Sequence, residues 1–230
     1  AKAFKYAADN GAVIMQCSWG YNSAYSNIMQ GYTPGPASQE EWERGAPLEK
    51  DALDYFTHNA GSPNGVIDGG IAIFAAGNES APMAGYPGAY NEYISVTSVA
   101  PDGLPAYYTN YGPGCNVAAP GGEYKTNWDT PGCVLSTMPT NKASSGYALM
   151  QGTSMACPHV SGIAALAISY AMDNGITLTL PELKDIIVSS VHSLDPYLTG
   201  FKVNPEGGTL NLSSYQGKMG TGLIDAYQVL

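Results

Sequence analysis

The stretch Gly152-Thr153-Ser154-Met155-Ala156-Cys157-Pro158-His159-Val160-Ser161-Gly162 places a serine directly after a glycine and ahead of an alanine-rich segment. Gly152 permits a sharp turn, and a helix from about Ser154 to Met172 is predicted to follow it. The free N–H groups and the positive dipole end of that helix would stabilise an oxyanion formed by attack of the serine hydroxyl on a carbonyl. On these residues alone, a buried alanine-rich helix that merely begins with serine fits equally well.

Elsewhere in the chain, short apolar runs predict buried strands at 12–17, 71–76 and 93–99, with shorter strand-like pieces at 117–122 and 134–136. Helices are predicted from 3 to about 9, from Pro47 to about Ala60, and after Thr179. A turn is expected at Pro63-Asn64-Gly65. Strands that alternate with helices indicate an α/β fold with a mainly parallel sheet. In the last helix an apolar stripe is predicted, with His192 closing that helix, and the members of the stripe are Leu183, Ile186, Ile187 and Val191.

Composition excludes several classes of protein. Hydrophobic residues make up 44% of the 230 residues and charged residues only 12%, which excludes disorder. The net charge of −10 argues against a nucleic-acid partner. No run of about 18 apolar residues is present, so no membrane span is expected. Residues 1–10 lack the apolar core of a signal peptide and begin like a chain cut from something longer.

The 152–162 string closely resembles the nucleophile signature of the subtilisin-like serine proteases. Residues 74–78 (Phe-Ala-Ala-Gly-Asn) resemble the strand and asparagine that supply the side-chain donor of this family's oxyanion hole. Ser18-Trp19-Gly20 resembles the segment that pairs with the substrate backbone and borders the pocket for the residue before the scissile bond. On its own, Asn78 reads as an ordinary Gly-Asn turn.

The resemblance implies a three-layer subtilisin-like fold whose N-terminal part is absent, with residues 1–230 as a partial peptidase domain carrying a surface insertion at about 21–45. It implies Ser154 and Asn78 as catalytic residues and a peptide or protein substrate. The substrate-binding residues that it implies are Ser18, Trp19, Gly20, Ala76 and Gly77. Many relatives bind Ca²⁺, but no calcium-ligand motif is recognisable here, so no cofactor is assigned.

The family's order of catalytic residues is Asp, His, Ser, so both partners should precede Ser154. None of the three histidines fits the base: His58 ends a helix, His192 ends another, and His159 is expected to be a packed, hydrogen-bonded core residue. Asp51, Asp54 and His58 share a helical face that is better read as solvated than as a metal site. We therefore expect an upstream segment of the parent chain to complete the active site, and the isolated chain to be inactive.

The main alternative is a non-catalytic peptide-binding relative whose parent lacks the His or the Asp. A carbohydrate-binding surface on the insertion, built on Tyr21, Tyr25, Tyr32 and Trp42, is the third alternative, although packing of these rings within the loop is preferred. The acidic composition and the family resemblance indicate a secreted or cell-envelope protein. A Cys115–Cys133 bridge would agree with this location, while Cys17 and Cys157 read as buried thiols, and the sequence does not fix the pairing.

Overall fold

The computed structural model describes residues 1–61, 65–124 and 130–230. The predicted turn at 63–65 lies mostly outside these residues. The helices are α1 (Lys2–Asp9), α2 (Gln39–Gly45), α3 (Pro47–Asn59), α4 (Thr153–Asp173) and α5 (Leu180–Ser189). The strands are β1 (Ile14–Cys17), β2 (Ile67–Asp68), β3 (Ile71–Ala75), β4 (Ile94–Val99), β5 (Val117–Pro120), β6 (Val134–Thr137), β7 (Tyr147–Met150), β8 (Leu178–Thr179), β9 (Val191–His192), β10 (Phe201–Val203), β11 (Thr209–Asn211) and β12 (Leu223–Ile224).

A six-stranded sheet in the order β1-β3-β4-β5-β12-β9 forms the centre of the described part. The pairs β1–β3, β3–β4, β4–β5 and β5–β12 are parallel, and only β12–β9 is antiparallel. The mixed α/β fold with a mainly parallel sheet, predicted from the alternation of strands and helices, is confirmed. Because the carboxyl ends of parallel strands lie along one edge, the residues that follow β1 and β3 are brought together.

Side chains of β3 alternate between the two faces of the sheet, as the pleat requires. Ile71 and Ile73 pack in a core with α4 and α5. Ala72 and Phe74 pack in a second core with residues of α1, α2 and α3. Helices on both faces of one sheet make the three layers, and they explain why the five residues of β3 are all buried.

Helix α4 packs against β1, β3, β4 and β5, so it is the central helix of the domain. By length and composition it is also the one helix of the described residues that could cross a membrane. The central helix of an α/β domain meets the same criteria, and its contacts with the sheet account for its apolar composition.

The segment 21–45, predicted to be a surface insertion, contains a helix that the sequence did not predict. Ser38 caps α2 by accepting a hydrogen bond from Glu41 N at 3.2 Å. Trp42, on α2, is fully buried, and its Nε1 donates to Glu49 at 2.8 Å. Its ring stacks on Tyr86 at 5.8 Å between ring centroids. Trp42 therefore holds the end of the insertion against the body and is not available to a carbohydrate.

Two details at the last helix were predicted wrongly. Val191 and His192 form β9, which pairs with β12, so neither belongs to α5. The apolar residues Leu183 and Ile187 of the predicted stripe are buried, and Ile186 packs against the same core. The pairing of Val191 with Ile224 across the chain outweighs the helical spacing of the sequence.

All four cysteines are free, so the structure has no Cys115–Cys133 bridge. Burial raises the pKa of Cys17 to about 12 and that of Cys157 to about 11. Burial also raises the pKa of Cys115 to about 12 and moves that of Cys133 upward. Because the thiolate is the reactive form, these are protonated thiols of low reactivity at neutral pH.

Candidate active site

Ser154 lies in the first turn of α4, where the sequence predicts it. Gly152 precedes the helix with φ 143°, a backbone conformation that side chains with a Cβ rarely adopt. Its N–H donates to Gly121 O at 3.0 Å, and the Tyr108 hydroxyl lies 2.9 Å from the same nitrogen. The turn that presents the serine is therefore fixed by Gly121, the residue after β5, and by the buried Tyr108.

Asn78 follows β3 and is held directly against the start of α4. Its Oδ1 accepts hydrogen bonds from Thr153 N at 2.8 Å and from Thr153 Oγ1 at 2.9 Å. Thr153 Oγ1 also accepts from Gly77 N at 3.3 Å. Because Oδ1 is occupied, the Nδ2 donor is left without a partner in the described part of the chain. The structure thus brings Asn78 close to the start of α4, where Ser154 lies, with the Nδ2 group and its two N–H donors available to a ligand.

Ser18 contacts the backbone and the side chain of Ser154. Ser18 Oγ donates to Ser154 O at 2.7 Å, and Ser154 Oγ donates to Ser18 O at 3.2 Å. The first bond has a specific cause: Pro158 is four residues after Ser154 and has no N–H, so the Ser154 carbonyl lacks its intrahelical donor. Pro158 therefore leaves one acceptor unfilled, and Ser18 fills it.

Trp19 and Gly20 continue past the end of β1, the edge strand of the sheet. Neither has a backbone hydrogen bond with the described residues, so their N–H and C=O groups are open. The Trp19 ring stacks on Phe4 at 5.9 Å and meets Phe74 edge-on at 5.4 Å between centroids. A rigid aromatic side chain and an open backbone edge lie side by side here.

Ala76 and Gly77 differ from Ser18–Gly20 because their backbone groups are already paired. Ala76 N donates to Val96 O at 3.0 Å, and Ala76 O accepts from Gly85 N at 2.9 Å. Gly77 O accepts from Asn110 N at 3.1 Å, and a Cβ on Gly77 would overlap the Asn110 side chain. These two residues can shape a pocket wall, but they have no free backbone group for a substrate.

The three histidines all have partners other than Ser154. His58 Nδ1 lies 2.8 Å from Asp54 O, and His192 Nε2 lies 2.7 Å from Asp225 Oδ2. His159 Nδ1 lies 2.8 Å from Met155 O one turn earlier. His159 is exposed, so its expected place in the core was wrong, although its hydrogen bond is present.

The predicted face of Asp51, Asp54 and His58 does not form a metal site. Lys50 Nζ instead donates to the two carboxylate oxygens of Asp54, at 2.5 Å to Oδ1 and 2.6 Å to Oδ2. Within residues 1–61, 65–124 and 130–230 there is no group of three or more side chains that could hold a metal ion.

Ser154 also borders an open hollow of about 310 Å³ whose lining does not include Asn78. The hollow is formed by the β6–β7 hairpin and the first turns of α4. Its other lining residues are mostly apolar: Val134, Leu135, Ser136, Met155, Pro158 and His159. Leu135 of this lining has 63% of its surface exposed.

Sequence reasoning missed Thr153, Tyr108 and Asn110. Thr153 lies inside the 152–162 string. Its position between Gly152 and Ser154 was the signal from which its place beside the candidate nucleophile could have been predicted. The Tyr108 hydroxyl reaches Gly122 O at 2.6 Å as well as Gly152, and burial raises its pKa. Asn110 Nδ2 donates to Ala76 O at 3.0 Å. The last two contacts join distant segments, and no local pattern marks them.

Comparison with known proteins agrees with this geometry. The model of the Subtilase family (Peptidase_S8) matches residues 1–218. The extracellular basic protease of Dichelobacter nodosus is 43% identical over 124 residues, covering 52% of this chain and 19% of that protein. Thermitase of Thermoactinomyces vulgaris is 30% identical over 169 residues, covering 74% of this chain and 45% of thermitase.

A solved structure described as a lanthipeptide protease superposes over 99% of this chain and 63% of its own chain, with a TM-score of 0.63 and 23% identity, which shows the fold. The chain spans less than half the length of the two proteases named above. With a family match over almost its whole length, and with a serine and an asparagine meeting at the start of the central helix, the chain belongs to the subtilase family of serine proteases.

Proposed function

We propose that this chain forms the nucleophile and oxyanion half of a serine endopeptidase. Ser154 Oγ attacks the scissile carbonyl carbon, and the resulting oxyanion accepts hydrogen bonds from Asn78 Nδ2 and Ser154 N–H. The observation that carries the proposal is the double hydrogen bond from Thr153 to Asn78 Oδ1, at 2.8 Å and 2.9 Å. It commits the acceptor end of the amide and leaves the Nδ2 end free to donate to an oxyanion, which supports the proposed role of Asn78.

The general base and its orienting carboxylate come from outside these 230 residues. A serine hydroxyl needs a base within about 2.6–3.2 Å to accept its proton. Ser154 Oγ instead donates to Ser18 O at 3.2 Å, and each histidine of the chain is hydrogen-bonded elsewhere. The 230-residue chain alone therefore does not turn over peptides, and an upstream Asp and His complete the triad.

The substrate binds as an added strand along Ser18–Gly20. The open backbone groups of Trp19 and Gly20 lie at the end of an edge strand, where an extended peptide can pair through main-chain hydrogen bonds. Ser18 places this edge against Ser154, because its hydroxyl donates to the Ser154 carbonyl at 2.7 Å. Ala76 and Gly77 contribute shape to the pocket beside it.

Secretion of the full-length protein is part of this proposal. The matched relatives include an extracellular basic protease of Dichelobacter nodosus and an extracellular protease of Xanthomonas campestris. The net charge of −10 suits an exposed acidic surface. The absence of a Cys115–Cys133 bridge removes one of the arguments from the sequence.

The test is labelling of the full-length protein with a fluorophosphonate probe, which reacts with activated serines. We expect one label on Ser154 in the full-length protein, no label in Ser154→Ala, and no cleavage of casein by the 230-residue chain alone. A folded full-length protein that stays unlabelled but binds extended peptides would instead be a non-catalytic relative.

A further inference from the structure

The β10–β11 hairpin turns a charged side chain inward and apolar side chains outward. Phe201 and Val203 of β10 have 73% and 65% of their surface exposed, whereas the Lys202 side chain between them has only 8% exposed. On β11, Leu210 lies opposite Lys202 and packs against the cluster that contains the buried tyrosine pair 107–108. Apolar burial alone would favour the opposite face, because a shift of one residue exchanges the two faces of a strand. The reason for this orientation lies in the contacts of Lys202.

Lys202 meets three acceptors, which match the three N–H donors of its ammonium group. Its Nζ lies 2.9 Å from Glu123 Oε2 and 3.1 Å from Asp102 Oδ2, and it donates to Pro105 O at 3.2 Å. The Glu123 side chain has 9% of its surface exposed, so both members of this ion pair are nearly buried. Burial raises the pKa of Glu123, and the hydrogen bond from Lys202 opposes that rise. Removal of Lys202 would therefore leave a buried carboxylate without its counter-ion.

Glu123 uses its second oxygen to hold the tyrosine pair. Oε1 accepts a hydrogen bond from Tyr107 N at 2.7 Å. The two rings of the pair meet edge to face at 5.3 Å between centroids, and both hydroxyls end on the turn that precedes α4. Tyr107 Oη accepts from Gln151 Nε2 at 2.8 Å, and Tyr108 Oη accepts from Gly152 N at 2.9 Å. Contacts therefore run without a gap from the hairpin to the turn that begins α4.

Building on the proposed function, we propose that Glu123 and Lys202 are positioning residues for the nucleophile, and that their buried ion pair fixes the turn at 151–152 through the tyrosine pair. In the described part of the chain, neither residue forms a hydrogen bond or an ion pair with Ser154 or Asn78. Their effect on Ser154 is therefore carried by the side chains that lie between. The β10–β11 hairpin thereby supports the candidate active site from a distance.

The competing explanation is that the ion pair only stabilises the hairpin. In that case its loss lowers the free energy of unfolding but does not alter the molecules that remain folded. A positioning role predicts a different result. The turn before Ser154 shifts while the peptide-docking edge at Ser18–Gly20 stays in place, so kcat falls and KM does not change.

The experiment compares three variants of the full-length protein, with kcat counted per serine that takes the fluorophosphonate label. Lys202→Met leaves the Glu123 carboxylate without its counter-ion, and kcat should fall about fivefold, the value of one neutral hydrogen bond, with KM unchanged. Glu123→Gln/Lys202→Met removes both charges but keeps a side-chain oxygen for Tyr107 N, so kcat should return to within about twofold of wild type. Glu123→Leu/Lys202→Met removes that oxygen as well, and kcat should stay low.

Lys50→Met/Asp54→Asn is the matched control, because it removes another lysine–carboxylate pair, on α3, whose lysine side chain has 14% of its surface exposed. It should leave kcat unchanged. Equal kcat in the two double variants at position 123 would overturn the proposal, since the bond to Tyr107 N would then not matter. Wild-type kcat in Glu123→Leu/Lys202→Met would overturn it too. In a protein that is labelled on its serine, these results contradict only the positioning role and leave the proposed function standing.

Amide hydrogen exchange, followed by NMR, tests the same link without turnover and therefore also in a protein that is not labelled. In Glu123→Leu/Lys202→Met, exchange of the Gly152 N–H should become about fivefold faster relative to that of the Ile73 N–H in β3. The control pair should leave this ratio unchanged. An unchanged ratio in Glu123→Leu/Lys202→Met, including equal acceleration at both amides, would overturn the proposal, because the ion pair would then act on global stability alone.

Discussion

The two sides of Ser154 differ sharply in how they are built. Toward β1 and β3, Ser18 Oγ donates to the Ser154 carbonyl, Ser154 Oγ donates to Ser18 O, and Thr153 N donates to Asn78 Oδ1. Toward the β6–β7 hairpin, the serine borders an open, mostly apolar hollow, in which His159 has its one hydrogen bond to a described residue with Met155 O of its own helix. If the proposed function holds, the groups that would stabilise the oxyanion are fixed in advance in this chain, whereas the groups that would transfer the proton are not part of it.

The largest effect should come from the donor on the ordered side. Asn78→Asp keeps the acceptor that holds Thr153 but removes the N–H donor, so kcat of the full-length protease should fall by at least about 10² with little change in KM. That size is known from the oxyanion asparagine of subtilisin, a member of the same family.

Unfolding curves should show that Asn78→Asp leaves stability nearly unchanged. A variant with wild-type kcat would show that the ordered side does not stabilise the oxyanion.

The next effect concerns Ser18 and should appear as stability. Ser18→Ala leaves the Ser154 carbonyl without a donor, at a cost of about 1–3 kcal/mol in the free energy of unfolding. Pro158→Ala supplies the missing helical N–H, so the cost of Ser18→Ala should fall by at least half in that background.

Denaturant titration of the four proteins in this cycle gives the coupling. Independent, additive effects would mean that Pro158 is not the reason for the Ser18 contact.

A smaller effect is expected at Thr153, which acts through Asn78. Thr153→Val removes the hydroxyl that bonds Asn78 Oδ1 at 2.9 Å but retains the backbone N–H bond. We expect kcat to fall about fivefold, the value of one neutral hydrogen bond, with KM unchanged. Thr153→Ser should restore kcat; if it does not, packing of the methyl group is the cause.

The smallest effect is expected at His159, in the hollow next to the β6–β7 hairpin. His159→Gln should change the rate of fluorophosphonate labelling of the full-length protein by less than about twofold, because this imidazole is bound to Met155 O and not to the serine. A large loss of labelling with normal folding would make His159 the base and reverse the comparison between the two sides.

Much of the framework was predictable because its signals are local. Pro47 marks the start of α3, and the apolar run at 71–76 gives β3 within one residue. Helix α2 escaped prediction because it has seven residues in a Gly- and Pro-rich region. It is stabilised by Trp42 packing on Tyr86, which is remote in sequence.

The candidate site likewise has features that local sequence predicts and contacts between distant residues that it does not. A serine after a glycine turn and an asparagine after a buried strand can be recognised from sequence. The carbonyl left free by Pro158 is also visible, from the spacing of four residues alone. The sequence does not show that Ser18 donates to this carbonyl, because Ser18 and Ser154 are 136 positions apart. The same holds for the ion pair of Glu123 and Lys202, which come from distant segments of the chain.

The proline in α4 has a consequence for motion. A residue with a backbone N–H at position 158 would donate to the Ser154 carbonyl within the helix. Ser154 could then shift without disturbing the edge of the sheet. With proline, the backbone of residue 154 is anchored to the first residue after β1. The proposed nucleophile and the proposed peptide-docking edge should therefore move together, so that a thermal displacement of one is followed by the other and their relative position is kept.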